Sequence, residues 1–493
     1  MTSLFKLGII KKRPDGVIKT ESFRLAFIAD IHLYSSLLGV SGRAYELRSG
    51  SDQKCLAESG AVTDAAFDAI KKSGSNAAVI VGDLTNDGEK CSHAEIMQKL
   101  EALNESVPVY AVTSTHDWCS DGNARRYAGS EVFTDVETAS KDELNSLYGG
   151  FGKANEISSF KTTAGFLSRS FRLSNGIRLI LVNDDCDGVG GKSGYSDAHL
   201  KWVENEAREG AANGEFVIAA EHHLVLPCIS RLVNSSQLIS DGNEVAGRLA
   251  DAGVRLLFVG HSHMLRATDF VSQNGSRLTQ INLSALCGYP AGITYVTVKD
   301  GSAEIKTEYI EKFTYNGKEH GADFFRTHAE NIVMHVLDGA KKSRGELSDR
   351  LHALGIKAQI SDRSYGFIKK GVSFLTNVTV GKAAHTVNAL MPFGGRIDIK
   401  ALSGIKNARL MKYVMPVFLS VFDGSQALDG CPDEVRGVLV TLANKISAYL
   451  RALPVGSAKR AKTGRLAADI SQTLKELAHP RFTLDTEVFF NDT

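Results

Sequence analysis

From Phe23 to about Glu311 the chain alternates short apolar runs with stretches of helical spacing, and this rhythm restricts the fold more than any other feature. Phe23–Asp30 (FRLAFIAD) predicts a buried strand. Ala61–Ser73 carries Val62, Ala65, Ala66, Ala69 and Ile70 at the spacing of one helix face. Ala77–Asp83 predicts a second strand, His93–Leu103 a second helix and Val107–Ser114 a third strand. Strand–helix–strand repetition of this kind builds βαβ units and a largely parallel sheet. Ile177–Asp184, Glu215–His222 and Val254–His261 extend it as strands, with helices near Ala198–Arg208 and Val245–Ala252. Thr268–Ile310 differs, because turns at Asn274-Gly275, Tyr289-Pro290 and Asp300-Gly301 predict consecutive antiparallel hairpins. The expectation is an α/β domain over residues 1–312 with its sheet covered or doubled at the end. Residues 313–493 form a second, mainly helical domain, with helices expected in Phe324–Lys341, Gly345–Leu354, Tyr365–Phe374, Lys406–Phe422 and Glu434–Leu453. That domain carries no assignable motif, and its basic stretch Lys459-Arg460-Ala461-Lys462 fits a solvated helix end.

Composition narrows the functional classes. Of 493 residues, 43% are hydrophobic and 23% charged, the balance of an ordinary globular protein and not of a disordered one. Lys and Arg total 57 against 56 Asp and Glu, so no dominant field draws the chain to nucleic acid or to anionic membrane. No run approaches the ~18–20 apolar residues of a membrane span, and Met1–Phe27 does not fit a secretory signal. The seven cysteines are scattered without a C-x-x-C pair, which argues against a disulfide framework or a zinc ribbon. A cytoplasmic location is expected, with neither membrane nor nucleic acid as a partner.

The polar residues fall where the predicted strands end. Asp30-Ile31-His32 closes the first, Gly82-Asp83 the second and Ser114-Thr115-His116-Asp117 the third. Glu221-His222-His223 and Gly260-His261-Ser262-His263 close two later ones. Carboxyl ends of parallel strands are where open α/β sheets bind ligands. In extended chain, residues i and i+2 share a side, so Asp30 with His32, and His261 with His263, can each aim at one point. With Asp83 and His222 they form a mixed nitrogen and oxygen set suited to manganese, iron or zinc and poor for calcium. Consecutive strand residues point oppositely, so only one of His222 and His223 is expected as a ligand.

These blocks resemble the calcineurin-like metallophosphoesterase superfamily: Asp30-x-His32, Gly82-Asp83, Thr115-His116-Asp117, His222 and Gly260-His261-x-His263, in the family's order. The wording around Gly82–Ile96, Ala124-Arg125 and His222-His223-Leu224 is similar to the bacterial cyclic-nucleotide phosphodiesterase-like branch, which also carries a C-terminal helical extension. The resemblance implies a four-layer α/β/β/α sandwich followed by the helical domain. It implies two divalent or trivalent metal ions (manganese, iron or zinc), the first held by Asp30, His32, Asp83 and His263. The second would share Asp83 and take His222 and His261, leaving His223 behind the ligands or on the substrate side. Where the family has an Asn as the remaining ligand of the second ion, this chain has Thr115, a shorter and weaker donor, so that site is expected to hold its ion loosely, to use an extra water, or to be empty as purified.

The implied reaction is hydrolysis of a small phosphodiester, such as a cyclic nucleotide, by a hydroxide formed on the metals. His116 is the expected general acid, Asp117 its orienting partner, and Arg125 a candidate contact to the phosphate, with a surface arginine as its alternative. A catalytically weak metal-binding scaffold and a DNA-processing nuclease stand as alternatives; the even charge balance counts against the second. Asn183-Asp184-Asp185 and Asp87-Gly88 read as turns, Cys119 as incidental, and His93 and His199 as capping or exposed residues at helix starts.

Overall fold

The computed structural model describes residues 22–174, 176–299, 301–353, 360–424, 426–452 and 457–479; the basic run Lys11–Arg13 lies outside them. β1 (Phe23–Ile28) pairs in parallel with β2 (Ala77–Val81), and β2 with β3 (Val109–Val112). α1 (Arg43–Ser49), α2 (Ser59–Lys72) and α3 (Lys90–Asn104) lie between them in sequence. A small ribbon, β4 (Arg126–Ala128) with β5 (Glu131–Phe133), and α4 (Lys141–Tyr148) follow. β6 (Glu156–Lys161), β7 (Leu167–Leu173) and β8 (Ile177–Leu181) then run antiparallel to one another. β8 pairs in parallel with β9 (Phe216–Ala220), and β9 with β10 (Leu256–Val259). α5 (Asp197–Ala212), α6 (Arg231–Asn234) and α7 (Gly242–Ala252) connect these strands.

The hairpins foreseen over Thr268–Ile310 go to different sheets. β11 (Arg266–Val271) and β12 (Arg277–Asn282) edge the second sheet, whereas β13 (Gly292–Lys299) and β14 (Ser302–Tyr309) return to β1. The result is a five-stranded sheet in the order β14-β13-β1-β2-β3 and a seven-stranded one in the order β11-β12-β10-β9-β8-β7-β6. Leu25, Phe27, Val79 and Val81 meet Leu179, Ile218 and Phe258 between the sheets, where Phe27 and Phe258 stack with centroids 3.8 Å apart. Val62, Phe67 and Ile70 of α2 and Ile96 and Leu100 of α3 cover the outer face of the first sheet. Leu200 and Val203 of α5, with Val245 and Leu249 of α7, cover the outer face of the second. This is the expected four-layer sandwich, and it explains strands that are apolar at every position: both of their faces are buried.

Past the hairpin β15 (Lys312–Tyr315) and β16 (Lys318–Gly321) the chain is helical. α8 (Asp323–Lys342), α9 (Arg344–Ala353), α10 (Asp362–Asn377), α12 (Met411–Leu419) and α13 (Asp433–Ala452) follow the periodic stretches. Two further helices carry weaker sequence signals. α11 (Val380–Leu390) and α14 (Ser457–Ala478) were marked by no helical expectation beyond the basic end of the latter, whose Arg460 and Lys462 are exposed. Leu477 of α14 joins the buried cluster that α5 and α7 also enter, and Thr473 of the same helix bonds Ser230 beside α6 at 2.7 Å. Phe422 O accepts from Leu265 N at 2.8 Å, and His328 Nε2 of α8 donates to Asp52 O at 2.8 Å. Among the described residues no helix is long and apolar enough to cross a membrane.

Candidate metal centre

The parallel strands of both sheets end at one edge, and there the backbone turns left-handed at five of the liganding candidates. Asp30 has φ 53°, His32 44°, Asp83 50°, His261 60° and His263 57°. Such angles are uncommon outside glycine and cluster at functional sites. They also correct the expectation of extended i, i+2 alternation: β1 and β10 stop at Ile28 and Val259, and left-handed residues, not pleat, bring Asp30 to His32 and His261 to His263. Two glycines make room. A Cβ on Gly82 would lie 2.4 Å from His222 Nδ1, and one on Gly260 would lie 2.8 Å from Asp30 Oδ2.

The six side chains named from the strand ends meet. Nε2 of His32 and Nε2 of His263 are 3.2 Å apart, and they lie 3.8 and 3.2 Å from Asp30 Oδ1. Asp83 Oδ2 is 3.8 Å from His32 Nε2 and 2.9 Å from His222 Nε2. Asp83, His222 and His261 form a second group of facing donor atoms beside the first. Backbone amides hold the carboxylates: His261 N donates to both oxygens of Asp30 at 3.1 Å, and His116 N to Asp83 Oδ1 at 3.1 Å. His222 Nδ1 donates to Val81 O at 2.9 Å, which directs its Nε2 at the cluster. His222 Nε2 itself is buried, with the Asp83 carboxylate as its neighbour.

Burial, then the charge of Lys54, hold His32 well below the usual histidine value; burial and then His223 do the same for His261. Against burial, Asp83 carries His222 well above it. Two imidazole nitrogens pointed at each other over one carboxylate, and a third beside another, suit cations and little else. The donor set therefore fits two metal ions: Asp30, His32, Asp83 and His263 for one, with Asp83, His222 and His261 for the other.

Around this cluster several residues stand apart from expectation. Asp117 does not orient His116. Its carboxylate accepts from Thr85 N at 2.9 Å and Ser114 N at 2.8 Å, tying the loop after β3 to the loop after β2. Burial, then Asp83, raise Asp117 to about 7. His116 Nδ1 instead donates to Asn86 O and lies 2.9 Å from Asp87 Oδ1. Asp87-Gly88 is thus more than a turn: the sharp bend at Gly88, where a Cβ would sit 2.8 Å from Asp117 O, presses the Asp87 carboxylate against the His116 loop. Against burial and Lys54, Asp83 and Asp87 raise His116 to about 8. Its ring stands edge-on to His32 with centroids 4.7 Å apart.

His223 lies behind the ligands, its ring 4.5 Å from that of His261. Its Nδ1 is 2.9 Å from Asp184 Oδ2 and its Nε2 is 3.1 Å from Ser193 Oγ. Asp185, read from sequence as part of a turn, accepts from Trp118 Nε1 at 2.9 Å and Ser114 Oγ at 3.1 Å, so it braces the His116 loop from the second sheet. Arg125 is folded onto its own loop, donating to Gly122 O at 3.1 Å and Ala124 O at 2.9 Å. Thr115 is half-buried beside His116, and among the described residues no side-chain hydrogen bond holds it. His93 and His199 are neither capping nor exposed. His93 is buried between Tyr148 Oη at 2.7 Å and Asp117 O at 2.8 Å, and His199 between Asp187 and Ser168 at 3.0 and 2.9 Å. An acid or imidazole just past a strand or a sharp turn was the available signal for Asp87, Asp184 and Asp185; turn chemistry explained it equally well.

Residues 23–265 match the family described as calcineurin-like phosphoesterase. This stretch is a calcineurin-like phosphoesterase domain. Its reaction class is metal-dependent hydrolysis of phosphoesters, and its donor groups are those of a dinuclear site. No curated protein matches the chain. Solved structures that align with the chain include a dimetal phosphatase from Danio rerio, at 15% identity and TM-score 0.40, covering 58% of this chain and 96% of that one. A purple acid phosphatase from yellow lupin (Lupinus luteus) seeds aligns at 10% identity and TM-score 0.40, over 62% of this chain and 53% of that one. An NAD nucleotidase from Haemophilus influenzae aligns at 13% identity and TM-score 0.33, over 74% and 62%. The chain thus spans about half and three-fifths of the latter two.

Proposed function

We propose that the phosphoesterase domain hydrolyses small phosphodiesters, with Asp30, His32, Asp83, His222, His261 and His263 holding two ions of manganese, iron or zinc. The observation that carries the reading is the 3.2 Å approach of His32 Nε2 to His263 Nε2 over Asp30, with Asp83 leading on to His222. When bound, such ions offset charge on phosphoryl oxygens and bring the pKa of a water towards neutrality. The chain does the rest. Nδ1 of His116 is fixed by Asn86 O and Asp87, so its other ring nitrogen stands on the His32 side, ready to protonate a departing alkoxide. A value raised to about 8 keeps that proton in place at neutral pH. Asp117, Asp185 and Trp118 hold the loop that carries His116.

A diester is favoured over a monoester by the family branch that the motif wording resembles. The retracted Arg125 agrees with it, since a singly charged phosphate demands fewer cations than a doubly charged one. Thr115 offers the second ion a hydroxyl in place of an amide oxygen, so that ion is the more weakly held. Purified protein loaded with manganese should turn over bis(p-nitrophenyl) phosphate faster than p-nitrophenyl phosphate. Asp83→Asn should cut the bound metal, by elemental analysis, at both sites. A fully metallated protein without turnover would favour the scaffold reading, and loss of just one ion would show that Asp83 does not bridge.

A further inference from the structure

Gln53 lies in the segment between β1 and α2, outside every strand-end block, yet its side chain reaches a ring of the metal centre. His263 faces the other donors through Nε2, which is 3.2 Å from both His32 Nε2 and Asp30 Oδ1. Its second nitrogen, Nδ1, lies 2.7 Å from Gln53 Nε2. Which imidazole nitrogen carries the proton is set by the partner of the other one. The group at Nδ1 therefore decides whether Nε2 presents a lone pair or an N–H.

For His222 that group is the Val81 carbonyl, which can only accept and is fixed by β2. For His263 it is a side-chain amide, and half a turn about its last bond exchanges N–H for oxygen. With the N–H toward Nδ1, His263 keeps its proton on Nε2 and donates it to Asp30. With the oxygen there, the proton is held on Nδ1 and the Nε2 lone pair is free for a cation. The backbone around Gln53 is pinned on both flanks. Asp52 Oδ1 accepts from Lys54 N at 3.0 Å, Asp52 Oδ2 pairs with Arg48 at 2.7 Å, and Asp52 O accepts from His328 Nε2 of α8 at 2.8 Å. On the other side Cys55 N donates to Cys287 O at 2.7 Å, and a Cβ on Gly288 would lie 3.1 Å from Gln53 O. Only the torsions of one half-buried side chain then remain to be fixed at Nδ1.

We propose that Gln53 is the positioning residue for His263: its amide turns its oxygen to Nδ1, holds the proton there, and so commits Nε2 to the first metal ion. This rests on the dinuclear phosphoester-hydrolase reading and adds to it a residue from outside the strand ends. It also gives the helical region a part in the metal centre, because His328 of α8 steadies the turn that carries Gln53.

The test is calorimetric titration of the metal-free full chain with manganese. Wild type is compared with Gln53→Met, which keeps the length without a hydrogen bond, and with Gln53→Glu, whose carboxylate only accepts. Gln53→Met should weaken the tighter of the two manganese ions about tenfold to a hundredfold and leave the metal-free melting temperature unchanged. Gln53→Glu should bind that ion at least as tightly as wild type. A side chain that merely filled space would give the opposite order, since Met packs as well as Gln and a carboxylate does not. Equal affinity in wild type and Gln53→Met overturns the proposal, as does a Gln53→Glu protein that binds as weakly as Gln53→Met. Should Gln53→Met fail to fold, Gln53→Leu takes its place with the same outcomes. If wild type binds manganese but does not hydrolyse bis(p-nitrophenyl) phosphate, the hydrolase reading falls by itself, and the titration still decides Gln53. A wild type that binds no manganese overturns both.

Discussion

His116 is held by a carboxylate that its own sequence block does not contain. Asp87 lies in the loop after β2, and its oxygen faces the ring nitrogen that Asn86 O also accepts from. In the proposed reaction, protonated His116 gives up its proton, so activity falls as pH rises through its pKa. Asp87 raises that pKa; replacing it by Asn should move the basic limb of the kcat profile to lower pH and reduce kcat by about tenfold to a hundredfold. A profile that stays in place would remove Asp87 from the proton transfer. Asp117 was the natural sequence candidate because it adjoins His116. Adjacency misleads here: consecutive residues diverge, and Asp117 turns inward to the amides of Thr85 and Ser114. Residues that end apolar runs were legible, because an acid or histidine there has little folding purpose. Asp87 was not, because Asp-Gly is also the ordinary vocabulary of a bend.

At the level of elements, the strand ends are shaped by what is missing from them. Gly82 has φ 75° and abuts His222, where an added methyl group would approach Nδ1 to 2.4 Å. Gly82→Ala should therefore displace His222, lower the bound metal at the second site, and destabilise the fold by about 1–3 kcal/mol. Full metal content with an unchanged melting temperature would mean that the loop simply shifts. The core strands and their helices were readable from period and apolarity. β6 and β7 escaped because their sequences, EISSFK and LSRSFRL, are half polar. The hairpins of Thr268–Ile310 were readable as hairpins, yet their division between two sheets depends on tertiary pairing, with β13 beside β1 and β12 beside β10. Local turn chemistry carries no information about that choice.

Across the whole molecule, the helical region is built into the phosphoesterase domain. Leu477 of α14 belongs to the buried cluster that α5 and α7 also enter, Phe422 O receives the Leu265 amide two residues past His263, and His328 holds the Asp52 carbonyl beside Gln53. Leu477→Ala should lower the unfolding free energy of the chain by about 2–4 kcal/mol in denaturant titration while leaving the metal content intact. A change below about 0.5 kcal/mol would mean that α14 only rests on the surface. That arrangement also bears on the left-handed backbone of Asp30, His32, Asp83, His261 and His263. Conformations of this kind are tolerated only because the surrounding layers enforce them. A laboratory evolution campaign scored on heat resistance alone would therefore erode the metal centre before it touched the sandwich, trading histidines and aspartates for glycine and asparagine while the scaffold hardened around a site that no longer binds.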